Sequence, residues 1–370
     1  LRAKELVDRL SAFYGGNERA AAAVFFAAGF LFDMLTLGRI DSWLMIGQQA
    51  VYLTLILLAL LHLFFEQGGA PVVALAGMSA VRRGYFRYRT PIVHFLLGAL
   101  LNLYTIFFFK SASLLTSFAF LGFLVLLVLA NESPRFKSLG LAFKFALLSL
   151  CFLSFFACLI PVLAGSIGLR IFLLSIAVGC LPLVAAAVWV RSFFPDLFPQ
   201  ARKQILLPLG CVLVAFLAFY LFRLIPPVPL SIPFIGVYHA VERSGDSFRL
   251  SHQRPRWRVW HNGDQSFLAQ PGDKVYVFFR VFSPTRFADE VLMRWYWKDD
   301  ARGWILQDTI PIKIVGGREQ GFRGYGVKAN YQPGRWKVQI ETIDEREIGR
   351  VYFDLQSVPA APRSFELDLS

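Results

Sequence analysis

The chain has 370 residues, 56% of them hydrophobic and 17% charged, with a formal net charge of +13, which excludes a single soluble domain of ordinary composition. The imbalance is local: residues 1–230 hold 18 Lys and Arg against 8 Asp and Glu, whereas residues 231–370 hold 20 against 17. Ten of the thirteen net charges thus fall in the apolar part, where basic residues flank membrane spans, so the charge does not signify affinity for nucleic acid.

Residues 1–19 mix both signs of charge and lack a small-residue cleavage site, so they do not form a signal peptide. Leu6, Leu10 and Phe13 recur at helical spacing and predict a short interfacial helix. A span needs about 20 mostly apolar residues to cross about 30 Å of hydrocarbon. Seven segments within 20–224 meet that demand, near residues 20–37, 43–65, 91–109, 113–130, 141–164, 167–190 and 205–224. The stretch FKSAS breaks the long run between 91 and 130 into two helices with a tight turn.

Lys and Arg resist translocation, so their distribution among the connections predicts orientation. The N-terminal segment and the second, fourth and sixth connections hold thirteen of them, among them Arg82, Arg83, Arg87 and Arg89; the other side holds Arg39, Lys110 and Arg170. This places the N-terminus in the cytoplasm and the C-terminal part, after seven crossings, in the periplasm of a bacterium with an inner and an outer membrane. Within the loop 66–90, RRGYFRYRT is suited to anchoring on lipid phosphates.

Ionisable residues within spans are costly, so each is a candidate site. Asp33 falls about four residues, roughly 6 Å, from the outer end of the first span. Folding the first two helices back across LGRIDS sets it level with Gln48 and Gln49. Asp33, Arg39, Asp41, Gln48, Lys110, Ser111 and Ser113 then share one level, a polar cluster at the outer rim of the bundle. Interhelical hydrogen bonds there are worth about 0.6 to 2 kcal/mol each, enough to fix helix pairing. His62 and His94 have no nearby carboxylate or cysteine in this reading and make a weak metal case. The four cysteines, Cys151, Cys158, Cys180 and Cys211, fall in apolar runs and read as small buried hydrophobes.

After the last span, RLIPPVPLSIPF cannot continue a helix and predicts a stiff proline-rich stalk over 225–236 that lifts the following domain, 237–370, off the membrane. That domain reads as all-β. Val275, Val277 and Phe279 alternate with Tyr276, Phe278 and Arg280, and Leu292, Arg294 and Tyr296 alternate with Met293, Trp295 and Trp297. RWKVQIET, GRVYFDLQ and IPIKIVGG are further strands, with turns at KDDARG, VGGRE, YQPGR and IDERE. Several short strands at this spacing predict an immunoglobulin-like antiparallel sandwich.

The glycine-rich stretch 316–326 lacks the Lys-Ser/Thr ending and following helix of a phosphate loop. Arg318, Arg323, Tyr325, Trp295, Trp297 and Trp336 are candidates for a binding surface on the β domain; together with Trp304 the tryptophans could stack sugars, although core and edge positions in a small sandwich explain them more simply. His239, His252 and His261 have no cysteine partner, and neither a catalytic constellation, a metal site nor a cofactor site emerges.

FLFDMLTLGRID, FFFKSASLLTSFAF followed by LVLANE, and GGREQGFRGYGVKANYQPGRWKVQIET together resemble a bacterial multi-pass membrane family whose C-terminal part is the domain of unknown function DUF2914. By motif match, Asp33, Thr36, Arg39, Asp41, Lys110, Ser111, Ser113, Asn131 and Glu132 correspond to the membrane part of that family. Gly316, Gly317, Arg318, Gly321, Arg323, Gly334 and Trp336 correspond to its tail. The resemblance implies a proteobacterial envelope protein with a small all-β tail domain, and no residue roles.

These readings converge on a non-enzymatic inner-membrane protein whose helix bundle carries a periplasmic β domain. Its expected partners are membrane lipid, another membrane or periplasmic protein, or an envelope glycan, with no nucleic acid. The alternative is a transporter or sensor of a small molecule or ion, working through the cluster around Asp33. Only one acid lies within a span and no internal repeat stands out, whereas proton-driven transporters show relays of buried acids or repeated halves.

Overall fold

The structure, a computed structural model, describes residues 42–69, 80–111, 114–132, 140–255, 258, 261–284, 288–315 and 321–370. It comprises a helical bundle followed by an all-β domain. The helices are α1 (Trp43–Gln67), α2 (Ala80–Lys110), α3 (Leu114–Glu132), α4 (Leu141–Ala164), α5 (Leu169–Phe193) and α6 (Pro195–Leu221).

Among the described residues five helices are long and apolar enough to cross a membrane: α1, the Arg89–Lys110 part of α2, α4, α5 and α6. In α3 the shorter stretch Ser117–Val128 is apolar, and the expected span at 20–37 lies outside the described residues. Leu44, Leu58, Phe95, Leu181, Val214 and Leu221 are largely exposed around the bundle. That much bare hydrocarbon marks a lipid-facing surface.

α4 is the central helix: every residue from Leu147 to Phe155 is buried. α5 comes close to it at Gly179, where an added Cβ would stand 3.3 Å from the Leu153 Cα; a small residue is what close helix packing in lipid requires. Cys151 and Cys158 are buried as expected, but Cys180 is half-buried and Cys211 exposed, because α6 turns that side chain out of the bundle.

Two helices depart from expectation. α2 begins at Ala80, so the basic RRGYFRYRT stretch is helical and Pro91 sits inside the helix rather than at its start. Proline removes one backbone donor but does not end a helix whose neighbours hold it in place. α6 starts at Pro195 rather than near 205. It opens with the 3-10 turn Pro195–Leu197 and the α-helical turn Phe198–Ala201, passes the π turn Arg202–Leu206, and continues as α-helix through Leu207–Leu221. Pro195 and Pro199 each fall in the first positions of their turns, where a missing N–H leaves nothing unsatisfied.

The β domain holds eleven strands among the described residues: β1 (Ser231–Tyr238), β2 (Ala240–Ser244), β3 (Ser247–His252), β4 (Ser266–Ala269), β5 (Val275–Phe282), β6 (Ala288–Asp299), β7 (Gly303–Val315), β8 (Phe322–Lys328), β9 (Gly334–Thr342), β10 (Glu347–Ser357) and β11 (Glu366–Leu369). They form sheets ordered β1-β5-β8, β4-β10-β9-β6-β7 and β11-β3-β2. All pairings are antiparallel except β4 with β10, which is parallel.

The expected alternation of β5 and β6 holds. Val277 and Phe279 join Met293, Trp295, Trp336 and Phe353 in one buried cluster, while Phe278 packs in a smaller one with Tyr238 and Leu250. At the expected turn KDDARG the Asp299 carboxylate accepts from the Ala301 and Arg302 N–H groups at 2.9 and 2.8 Å, closing the β6–β7 hairpin.

Candidate functional site

The residues joining bundle to β domain do not form the expected stalk. Ile225 through Leu230 are all buried; Ile225 and Val228 belong to the bundle core and Leu230 to the β-domain core, and β1 starts at Ser231. A buried extended segment must satisfy its own backbone. Here Pro226, Pro227 and Pro229 bring no N–H, and the Val228 and Leu230 N–H groups donate to the Pro226 and Pro227 carbonyls at 2.9 and 3.0 Å. The Ile225 carbonyl receives its donor from a side chain of the β domain.

That side chain is Arg346, in the turn between β9 and β10. Only 7% exposed, it donates through Nη1 to the Ile225 carbonyl at 3.1 Å, through Nη2 to the Tyr220 carbonyl at 2.9 Å and through Nε to the Asp344 carboxylate at 2.8 Å. Its Cζ lies 3.5 Å from the centroid of the Tyr220 ring, which stacks on Phe172 of α5 with centroids 3.5 Å apart. The Tyr220 hydroxyl donates to the same Asp344 carboxylate at 3.3 Å. One planar cation thus adds a donor to the Tyr220 carbonyl at the end of α6, satisfies the Ile225 carbonyl beyond it, neutralises an acid and stacks on an aromatic pair reaching α5.

The turn is shaped for this. Thr342 Oγ1 donates to Asp344 at 2.5 Å and accepts from the Arg346 N–H at 3.0 Å, and Glu345 adopts φ 60°. Around it, Arg223 pairs with Glu345 at 2.8 Å, Arg294 reaches Glu341 and Glu345 at 3.1 Å each, and the Ile167 N–H between α4 and α5 donates to Asp289 of β6 at 3.2 Å. The two arginines, Arg294 first, hold the Glu345 carboxyl below its ordinary pKa. A cavity of about 40 Å³ lies between Pro161, Ile171, Tyr220, Pro227 and Arg346, room for about one water.

Of the expected rim cluster, Asp33, Arg39, Asp41 and Ser113 lie outside the described residues. Ser111 is buried and Lys110 exposed at the end of α2. Gln48 donates to the Tyr52 hydroxyl at 2.9 Å within α1. Gln48, Gln49, Tyr52 and Asn102 line a cavity of about 220 Å³ between α1 and α2. At the opposite end of these helices Glu66 lies 3.9 Å from His62 and 2.6 Å from Arg89, so the expectation that no carboxylate stands near His62 is corrected. His94 is buried. No group of three or more potential metal ligands occurs among the described residues.

The expected β-domain surface is dispersed. Trp295 and Trp336, at 0% and 1% exposure, are core residues and cannot present a binding face, because they lie on the inward side of the alternation in β6 and β9. Trp297 is half-buried, its indole N–H donating to the Pro333 carbonyl at 3.1 Å. Arg323 donates to the Asp246 carbonyl, Tyr325 is exposed on β8, and Arg318 lies outside the described residues. The tryptophan on the outward face among the described residues is Trp304, whose ring lies 5.8 Å from that of Tyr352.

A second polar cluster lies around the end of β1. His239 and Asp264 are buried, with Nε2 3.5 Å from Oδ2, and Phe267 stacks on the imidazole at 4.0 Å. Burial, aided by the charge of Arg363, lowers the His239 pKa to about 4. Burial likewise pushes Asp264 up to about 6, opposed by the Gln253 N–H on its carboxylate. His252 stands 3.2 Å from Asp368 of β11, and Arg363 holds Asp273 in a bidentate pair at 2.6 and 2.5 Å. No sequence spacing brings these groups together; the sheet pairings do.

The segment that holds Arg346, the clasp between the two parts, also carries the match to a family model. Residues 288–355 match the family model described as "Protein of unknown function (DUF2914)". The match runs from the start of β6 to Leu355 in β10 and includes Arg346. No curated protein matches the chain. Among solved structures, the chain is similar to an immunoglobulin-like protein from Pseudomonas aeruginosa (14% identity, 35% of this chain, 98% of that one, TM-score 0.21). A β-glucosidase from Listeria innocua in complex with glucose is similar at 11% identity over 25% of this chain, with TM-score 0.18; the matched part spans 15% of that enzyme. An alkylpurine DNA glycosylase AlkC from Pseudomonas fluorescens is similar at 10% identity over 73% of this chain and 77% of that one, with TM-score 0.22.

Proposed function

We propose that the chain is a seven-span inner-membrane protein that holds an immunoglobulin-like β sandwich against the periplasmic end of its bundle, as a binding module for an envelope component or partner subunit. The carrying observation is the Arg346 clasp. A domain that merely trailed from its anchor would need a solvated linker; this one buries its linker and spends a saturated arginine on fixing its orientation. Among the described residues Arg89, Arg191, Arg202 and Lys203 stand at the end of the bundle away from the Ile167 and Tyr220 contacts with the β domain, which supports an exported β domain. Inward-facing residues of β5 on one sheet and of β6, β9 and β10 on another share one core, which supports the sandwich.

The test is in intact cells. A single cysteine at exposed Ser357, in a chain whose own cysteines are replaced by alanine, should react with a membrane-impermeant maleimide once the outer membrane is opened. Photo-crosslinkers on the β-domain surface should then give recurrent adducts. Labelling only after the inner membrane is lysed, or a surface that returns no adduct, overturns the proposal. The polar cavity between α1 and α2 favours the second reading, transport or sensing: Gln48→Leu with Asn102→Leu would then abolish the cellular phenotype of the gene while leaving expression and melting unchanged.

A further inference from the structure

Strand alternation gives the five-stranded sheet an outward face that core packing does not use. Tyr296 and Lys298 of β6, Arg335 and Lys337 of β9, and Tyr352 of β10 point away from Trp295, Trp336 and Phe353, and the registers set Lys337 opposite both Tyr296 and Tyr352, with Trp304 of β7 opposite Lys298. The Lys337 ammonium lies 4.1 Å from the Tyr296 ring centroid and 5.4 Å from that of Trp304. The Arg335 guanidinium lies 5.7 Å from the Tyr352 ring.

The cations of this face divide in two. Arg294 pairs with Glu341 and Glu345, and Arg350 with Glu347. Lys298, Arg335 and Lys337 make no ion pair among the described residues. Lys337 is half-buried, and its pKa is lowered by that burial and by Arg350, against the opposing charges of Glu347 and Glu341. An ammonium so placed gains from an incoming anion.

We propose that this patch binds an acidic polysaccharide, a sugar ring stacking on Trp304 beside Tyr296 and Tyr352 while its carboxylate or phosphate pairs with Lys337 and Arg335. This rests on the reading of the β domain as a binding module and names its ligand class. Distance from the bundle along β9 favours a ligand other than lipid headgroups. Lys337 is five residues along β9 from Thr342, the foot of the clasp, roughly 16 Å at the rise of a strand, whereas headgroups extend only about 5 to 8 Å past the hydrocarbon. Composition decides against a protein hot spot. Among the described residues the exposed large apolar side chains at this end of the face, Trp304, Leu306 and Leu268, are few and set apart on β7 and β4, and cations without an ion pair separate the rings, unlike the apolar centre of a protein interface.

The experiment uses the full chain in detergent and three probes of matched length: a polyuronate oligosaccharide, neutral dextran and inorganic polyphosphate. The polyuronate should bind at least tenfold tighter than either of the others and shift the tryptophan fluorescence. Trp304→Ala and Lys337→Gln should each weaken it at least tenfold with unchanged melting, Lys337→Arg should restore most of the affinity, and Trp304→Ala should abolish the fluorescence shift. Equal binding of polyphosphate and polyuronate with no effect of Trp304→Ala overturns the proposal in favour of plain charge attraction. So does absence of polyuronate binding by the folded wild type. If adducts at the β domain nonetheless persist in cells, the ligand class alone is wrong; if they vanish too, the binding-module reading falls with it.

Discussion

The two ends of the β domain use their polar residues in opposite ways. At the end facing the bundle, Arg346 has an acceptor for each of its three nitrogens and an aromatic face beneath it. At the far end, eight residues up β1 and beyond, the His239 ring nitrogens are buried without a hydrogen bond, and Lys337 and Arg335 stand among aromatic rings and make no ion pair among the described residues. Saturation marks a group that holds structure; groups left incomplete are where something else can bind or titrate.

Removing the clasp should have the largest effect. Arg346→Ala removes the side-chain donor of the buried Ile225 carbonyl, one of two donors to the Tyr220 carbonyl and the cation beside Asp344, and breaking such a network costs about 3–5 kcal/mol. The variant should melt earlier in detergent and become sensitive to protease at residues 225–230, whereas Lys337→Gln at the far end should do neither. Arg346→Lys should fall between, since an ammonium keeps the charge but cannot reach three acceptors in one plane. Equal stability of Arg346→Ala and wild type would erase the distinction between the two ends.

Second in size is a pH effect at the far end, with two opposing terms. His239 has its pKa lowered from 6.5 to about 4, so on acidification the unfolded chain takes up a proton that the folded one refuses, and stability falls across that window. Asp264 is raised from 3.8 to about 6, so the folded state takes up its proton first and stability rises over nearly the same window. The wild type should therefore be nearly flat between pH 6.5 and pH 4, in the presence of the neighbouring Asp273, Arg363, His252 and Arg254. Asp264→Asn keeps the shape and leaves the histidine term alone, so this variant should lose roughly 3 kcal/mol on going from pH 7 to pH 4. His239→Gln should show the reverse slope. Parallel pH profiles for all three proteins would show that the pair does not titrate with folding.

Hydropathy and alternation made much of this architecture legible. α4 falls where its apolar run predicts, and the inward and outward residues of β5 and β6 divide as their alternation requires. The clasp was not legible. Arg346 stands in IDERE, which reads as a solvated turn, and its acceptors Ile225 and Tyr220 are 121 and 126 residues away in the chain. The linker misled for a related reason: proline fixes backbone angles and removes donors, but whether the segment is solvated depends on what packs against it. Trp304 stood out only together with three other tryptophans: it lies near the start of β7, beyond a register shift between Trp295 and Tyr296, so counting by twos from the core does not tell its face from theirs.

The smallest effect should come from an exposed ion pair beside the clasp, where proximity to Arg346 and energetic weight part company. Arg223 and Glu345 meet at 2.8 Å, but their side chains are 57% and 43% exposed, and Glu345 keeps Arg294 as a second partner. Such pairs are worth about 0–1 kcal/mol, so Arg223→Gln should shift the melting temperature by little. Arg223 also adopts φ 59°, a left-handed conformation that glycine takes without strain. Arg223→Gly should therefore be no less stable than Arg223→Gln, although it removes the whole side chain. If Arg223→Gln instead destabilises as much as Arg346→Ala, the junction is held by its rim charges together, and burial of a single guanidinium is not what seats the domain.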